Sequence, residues 1–185
     1  RATVENLNEY LKNRGDKTFV AAEVVVRSDL DVPLGPARVS GRIDRLEKTS
    51  DGAAYIVDFK TGNNLPSKPS VQENPQLATY QVAIEAGQAT FINDGELIRG
   101  ITECAGAELV YPRKAAGQRK PPSNVREQGP IKDTDVYTKT IATIESLVRS
   151  ARTHTFTATP SDDACRTCAF TQSCPAFAMG ESEES

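Results

Sequence analysis

The spacing of apolar residues changes period along the chain. In TVENLNEYLKN (residues 3–13), Val4, Leu7 and Leu11 recur at helical spacing behind Thr3 as a cap, and the pattern stops before Gly15, so a helix is predicted. KTFVAAEVVVRSDL (17–30) is rich in Val and ends in Asp31, Pro33 and Gly35, which predicts a strand turning into ARVSGRIDRLEK (37–48). TSDG is a turn signal, and AAYIVDFK (53–60) after it reads as a third strand. Together the three predict an antiparallel meander.

Beyond a loop over 62–70, NPQLATYQVAIEAG (74–87) carries Leu77, Tyr80, Val82, Ala83 and Ile84 and reaches Gly87, a common helix exit. CAGAELVYP (104–112) predicts a fourth strand, residues 113–132 a long Pro/Gly-rich loop, and DTDVYTKTIATIESLVRSAR (133–152) a second long helix through Val136, Ile141, Ile144 and Leu147. The predicted order is helix, three strands, helix, strand, loop, helix, an α/β arrangement. No internal repeat or low-complexity tract interrupts it, and residues 179–185 are expected to form a disordered tail.

At 185 residues and 38% hydrophobic, the chain suits one domain with one core, expected over 1–185. It begins with Arg1, shows no charged-then-apolar leader, and lacks any apolar run near the about 18 residues of a membrane helix. It therefore reads as a soluble, cytoplasmic piece of something larger, with no membrane partner. The net charge of -3 gives no whole-molecule reason to expect nucleic acid. Locally the balance reverses: Arg113, Lys114, Arg119, Lys120, Arg126 and Lys132 face only Glu127. That segment is either a solvated loop or a phosphate-contacting arm.

Charges also interrupt the strands. Alternation puts Ile56, Asp58 and Lys60 on one face of the third strand and Tyr55, Val57 and Phe59 on the other. Asp44 lies in the neighbouring strand, and only an unread register decides whether it joins them. Buried charges need compensation. Two carboxylates with a lysine would suit Mg²⁺ or Mn²⁺, although an Asp-x-Lys triplet alone equally describes an ion pair on an exposed strand end. Gln76 and Tyr80 share a face of the following helix and suit contact with a nucleotide or phosphate. Taken singly, they read as a solvated glutamine and a core tyrosine.

GRIDRLE (41–47), YIVDFKTG (55–62) and QLATY (76–80), in this order, resemble the nuclease domain of the RecB family within the PD-(D/E)XK superfamily. Such domains end bacterial helicase-nuclease subunits of the RecBCD, AddAB and AdnAB kinds. The resemblance implies a restriction-endonuclease-like αβββαβ core, a mixed central sheet flanked by helices, and Mg²⁺- or Mn²⁺-dependent exonuclease action in double-strand break processing. By the same resemblance Asp44 and Asp58 bind metal, Lys60 is the catalytic lysine, and Gln76 and Tyr80 support the site and contact DNA. The implied partners are DNA, as single strands delivered by a helicase motor, and a helicase-nuclease partner subunit. Arg113, Lys114, Arg119 and Lys120 are then expected on the DNA backbone.

The sequence departs from the family in one respect. Many members carry a metal-binding His in a helix upstream of the first strand, whereas the only His here is His154. Either the upstream segment belongs to a missing part of the parent, or the domain is a degenerate, non-cutting one that binds DNA or acts as a scaffold. Glu23, a lone acid in an apolar strand, either compensates or faces solvent.

ACRTCAFTQSCPAF (164–177) adds a C-x2-C-x5-C cluster of Cys165, Cys168 and Cys174 within a segment at 161–178. Three clustered cysteines favour a metal over disulfides, which pair evenly. The pattern is similar to the cysteines holding a [4Fe-4S] cluster in AddB-like nuclease domains, whose fourth cysteine lies upstream of the core. Cys104, alone in an apolar strand, is a poor substitute. The alternative is Zn²⁺ on these three cysteines with His154.

Overall fold

The computed structural model describes residues 2–62, 64–86, 89–113 and 124–178, with the side chains of residues 2, 163, 177 and 178 excepted. In chain order the elements are α1 (Ala2–Lys12), β1 (Thr18–Leu30), β2 (Ala37–Lys48), β3 (Ala54–Phe59), α2 (Lys68–Gln72), α3 (Pro75–Glu85), β4 (Thr90–Asn93), β5 (Glu96–Ile98), β6 (Cys104–Tyr111), β7 (Asn124–Gln128), α4 (Asp135–Thr153), α5 (Asp162–Arg166) and α6 (Pro175–Ala178). The strands form one mixed sheet ordered β5-β4-β1-β2-β3-β6-β7. The meander is antiparallel as expected, and β6 runs parallel to β3. A parallel neighbour needs a long crossover, and α2, α3 and the β4–β5 hairpin supply it. The αβββαβ core is therefore present, with that hairpin inserted before its last strand.

Alternation along β3 builds both layers. Ile56 turns toward α3 and joins Val24, Val26, Leu46, Leu77, Ile84 and Leu109 in the larger core. Tyr55 and Val57 turn the other way and pack with Tyr10 of α1 and Val110, with Leu7 and Leu11 beside them. The start of α3 is defined locally: Asn74 Oδ1 accepts the Leu77 N–H at 3.0 Å and Pro75 occupies the first turn. Ser67 caps α2 in the same way.

Three strands, β7, β4 and β5, lie outside the sequence expectation. The segment read as a loop over 113–132 contains β7, antiparallel to β6 with Val110 opposite Val125. Five residues among Pro, Gly and basic side chains hide the period-2 signal, and pairing with an otherwise open β6 edge decides the outcome. The β4–β5 hairpin adds to β1, with Val26 opposite Phe91. Its turn is Asp94-Gly95, both at positive φ (50 and 84), the Asp-Gly pair being a strong hairpin signal that the sequence did carry.

An ion cluster ties α1 to its sheet face. Arg14 lies 4.3 Å over the Tyr10 ring, and its Nη2 reaches Glu47 Oε2 at 2.5 Å and Glu108 Oε1 at 2.7 Å. Arg45 Nε adds a bond to Glu47 Oε1 at 2.6 Å, and the Tyr10 hydroxyl donates to Glu108. Burial by itself would raise the Glu47 carboxyl, but the bonds from Arg14 and Arg45 hold it below its usual range. Glu108 stays raised by burial despite Arg14.

Packing divides the chain into two units, Arg1–Glu145 and Ser146–Ser185. The second contains the end of α4, the short α5, capped by Ser161, and α6. Among the described residues no helix is long and apolar enough to cross a membrane.

Candidate active site

A shared kink in β1 and β2 aims Asp44. Ile43 and Leu46 both enter the larger core although they are three apart, and so do Ala21 and Val24. Period-2 alternation is thus broken in both strands at one level, where the pairs Ala22↔Arg45 and Val24↔Ile43 bracket Glu23 and Asp44. Glu23 adopts φ 54, a left-handed conformation unusual for a non-glycine strand residue. The kink leaves Asp44 half-buried, with Oδ2 accepting the Phe59 N–H at 2.7 Å. Asp44 therefore meets the end of β3 through a backbone bond. Glu23 itself is exposed and faces Arg42 Nη1 at 3.6 Å.

Asp58 follows Ile56 onto the α3 face and is only 5% exposed. Three side chains close a triangle there. Gln76 Nε2 donates to Asp58 Oδ1 at 2.9 Å, Lys60 Nζ donates to Gln76 Oε1 at 2.7 Å, and Lys60 Nζ stands 2.8 Å from Asp58 Oδ2. That last contact is an ion pair without a well-directed hydrogen bond, so Asp58 Oδ2 is buried with unused acceptor capacity. Burial raises the Asp58 carboxyl above its usual range, with Asp44 adding to the rise and Lys60 and Gln76 opposing it. The folded state thus holds the Asp58 proton more tightly than the unfolded chain. Its stabilising contribution is complete below the unfolded Asp pKa and is lost as pH rises through the folded value. Metal-free protein should accordingly lose stability over that window, and Asp58→Asn should flatten this part of a pH series of thermal melts; an unaltered pH series would count against it.

Tyr80 does not join the triangle. Its hydroxyl donates to the Arg42 carbonyl at 2.7 Å, and its ring lies where a Gly41 Cβ would stand, 2.6 Å from Cε1. The residue props the β2 backbone just before Asp44. Gly41→Ala should therefore cost about 1–3 kcal/mol by overpacking, read from urea unfolding. A cost within error would mean that the ring moves freely aside.

Sequence reasoning missed Tyr111. It ends β6 beside Lys60, whose N–H donates to the Val110 carbonyl at 2.8 Å. Burial raises the Tyr111 hydroxyl, and the charges of Lys60 and Asp58 both act on it. Its place in an apolar run, CAGAELVY, gave no chemical signal.

The acids fit a hard divalent cation. Mg²⁺ and Mn²⁺ take one or two protein carboxylates and complete their shell with water and phosphate oxygens. Asp58 Oδ2 has unused acceptor capacity, and Asp44 Oδ1 has no hydrogen-bond partner among the described residues. No group of three His, Cys, Asp or Glu able to hold a metal occurs among those residues. The same holds for the cysteine segment: Cys165, Cys168 and Cys174 are free thiols at half-buried or exposed positions, and as placed they do not fit a cluster or zinc. His154, in the turn after α4, is not gathered with them into such a group. Cys104 is a core residue of β6, its thiol pushed up to about 12 by burial.

Of the basic segment, Arg113 is exposed after β6, while Lys114, Arg119 and Lys120 lie outside the described residues. Arg126 and Lys132 have intramolecular partners: Arg126 Nε donates to the Pro66 carbonyl at 2.9 Å, and Lys132 Nζ lies 3.1 Å from Glu85 Oε2.

Comparison with solved structures finds the same fold in the crystal structure of SSO0001, with a TM-score of 0.52 at 18% identity over 93% of this chain. The chain spans 66% of that protein's length. No curated protein matches the sequence significantly. The model of one family, the PD-(D/E)XK nuclease superfamily, matches residues 1–175. Taken with the αβββαβ core and the Asp58-x-Lys60 strand end, that match makes the chain a member of the PD-(D/E)XK nuclease superfamily.

Proposed function

We propose that the chain is the DNA-cleaving domain of a helicase-nuclease that processes double-strand breaks, acting as an exonuclease with Mg²⁺ or Mn²⁺. The observation that carries this reading is the meeting of Asp44, Asp58, Lys60 and Gln76 at the end of β3. Asp44 Oδ1 and Asp58 Oδ2 are the atoms that would hold the cation. A divalent ion there supplies a more acidic attacking water and neutralises charge on the phosphodiester. In the hydrolysis the water oxygen bonds to phosphorus, one P–O ester bond breaks, and the leaving oxygen takes up a proton. The Lys60 ammonium orients the water and stabilises the added negative charge. Gln76 holds the ammonium through its Oε1 and the Asp58 carboxylate through its Nε2, and Tyr80 steadies β2.

The finer context rests on the three motifs that resemble the RecB family. It includes a helicase motor and partner subunit, single strands reaching the site along Arg113, Lys114, Arg119 and Lys120, a cytoplasmic setting, and a [4Fe-4S] cluster on Cys165, Cys168 and Cys174 in a longer parent. Only the C-x2-C-x5-C spacing supports the cluster, and metal analysis with visible absorption of anaerobically prepared protein decides between iron, zinc and none. The function itself is tested on end-labelled linear and on circular single-stranded DNA with Mg²⁺ or Mn²⁺. Degradation of the linear strand alone is the expected exonuclease result. Binding without cleavage of either would assign the non-cutting, DNA-binding role instead.

A further inference from the structure

Strand β7 is the sheet edge, yet three successive residues of it fasten the connection between Lys60 and Gln76. Arg126 Nε donates to the Pro66 carbonyl at 2.9 Å, and the Glu127 carbonyl accepts from Gln72 Nε2 at 2.7 Å. The Gln128 amide then meets three carbonyls: Gln72 at 2.9 Å, Val71 at 3.1 Å and Asn74 at 3.3 Å. Gln128 is 1% exposed, and its Oε1 accepts from Gln81 Nε2 at 2.9 Å. Gln81 is satisfied in turn by the Gly129 carbonyl at 3.1 Å and the Ile131 N–H at 3.3 Å.

The last carbonyls of a helix have no partner within it, and burial makes a missing partner costly. Here the Gln72 carbonyl at the end of α2 obtains its partner from one side chain of another strand. The same amide adds a second bond to the Val71 and Asn74 carbonyls, which already accept the Asn74 and Ala78 N–H groups. Asn74 begins α3, and Gln76 stands two residues later in its first turn. From that turn Gln76 must reach Asp58 and Lys60 together, at 2.9 and 2.7 Å. An amide that fixes the corner fixes the reach.

We propose that Gln128 is a positioning residue for hydrolysis at the Asp58–Lys60 centre: its buried amide holds the α2–α3 corner and so aims the Gln76 head group. This rests on the nuclease reading of that centre. Gln128 touches neither the acids nor the lysine, and its effect passes through Gln76. Gln128→Met keeps the length of the side chain and removes its donor.

The test combines a direct view of Gln76 with kinetics on the full chain. In ¹⁵N NMR spectra the Gln76 side-chain amide of Gln128→Met should shift toward the position of a free glutamine. With Mg²⁺ and single-stranded DNA, kcat should fall about 10-fold, as for other groups that orient a ligand, while KM stays within about twofold, a loss confined to the transition state. The double variant Gln76→Met/Gln128→Met should be no slower than Gln76→Met alone. Tyr10→Phe, which loses a buried bond on the opposite sheet face, should lower stability without lowering kcat. If Gln128→Met does not fold, Gln81→Met, which removes the partner of Gln128 Oε1 and leaves its carbonyl contacts, should shift the same resonance and lower kcat less. An unshifted Gln76 resonance with wild-type kcat in a folded variant, or additive losses in the double variant, overturns the proposal. A wild-type chain that cleaves nothing would defeat the nuclease reading, and the NMR comparison would still decide whether Gln128 aims Gln76.

Discussion

Lys60→Ala is expected to lower the rate of DNA cleavage by about 10²–10³-fold, the usual loss when one preorganised charge-stabilising donor is removed. The ammonium is the only cation in the triangle, 2.8 Å from Asp58 Oδ2 and bonded to Gln76 Oε1. Its removal takes away the group proposed to orient the attacking water. It also removes the charge that opposes the burial-driven rise of the Asp58 carboxyl. The acid limb of the residual activity should therefore move to higher pH, because Asp58 must lose its proton to accept a cation. Lys60→Arg keeps the charge but not the compact head, and should recover the pH profile more than the rate. Single-turnover cleavage across pH, with circular dichroism to confirm folding, measures both effects. Wild-type rates for Lys60→Ala would remove Lys60 from the chemistry.

The largest stability loss is expected at Arg14→Met, about 3–5 kcal/mol near neutral pH, because it strips the shared cation from two buried carboxylates. Glu47 would keep Arg45, but among the described residues Glu108 would keep only the hydroxyls of Tyr10 and Tyr55. Without the guanidinium the Glu108 carboxyl, already raised by burial, would favour its neutral form still more in the folded state. A raised folded pKa gives stability that is present at low pH and lost as pH rises through it. The penalty should thus shrink on acidification. Urea unfolding of Arg14→Met, Glu108→Gln and the double variant at several pH values tests this, and a double-variant loss equal to the sum would show the pair to be uncoupled.

The triangle was legible in the sequence because it depends on two local periods. Positions 58 and 60 share a strand face wherever that strand lies, and Gln76 follows on the helix that the Asn74-Pro75 start defines. Asp44 was legible as a residue type but not as a neighbour of Asp58. Its placement depends on the kink at Glu23 and on strand register, which no local pattern reports. Tyr80 shares a helix face with Gln76, yet that face spans two destinations: Gln76 reaches the acids, whereas Tyr80 reaches Gly41 and the Arg42 carbonyl. The fasteners on β7 were hidden for another reason. Arg126 belongs to a segment read as a solvated loop or a phosphate-contacting arm, and no pattern marks Gln128, until the α2–α3 corner is folded against them.

The central claim is that Asp44 and Asp58 form one metal-dependent cleavage centre with Lys60. It is tested most directly by following labelled single-stranded DNA with wild-type protein and with Asp58→Asn, each in Mg²⁺, in Mn²⁺ and in excess chelator. Cleavage by the wild type that requires the metal and disappears in a folded Asp58→Asn is the predicted result, whereas equal cleavage by the two proteins, or cleavage that persists in chelator, would contradict it.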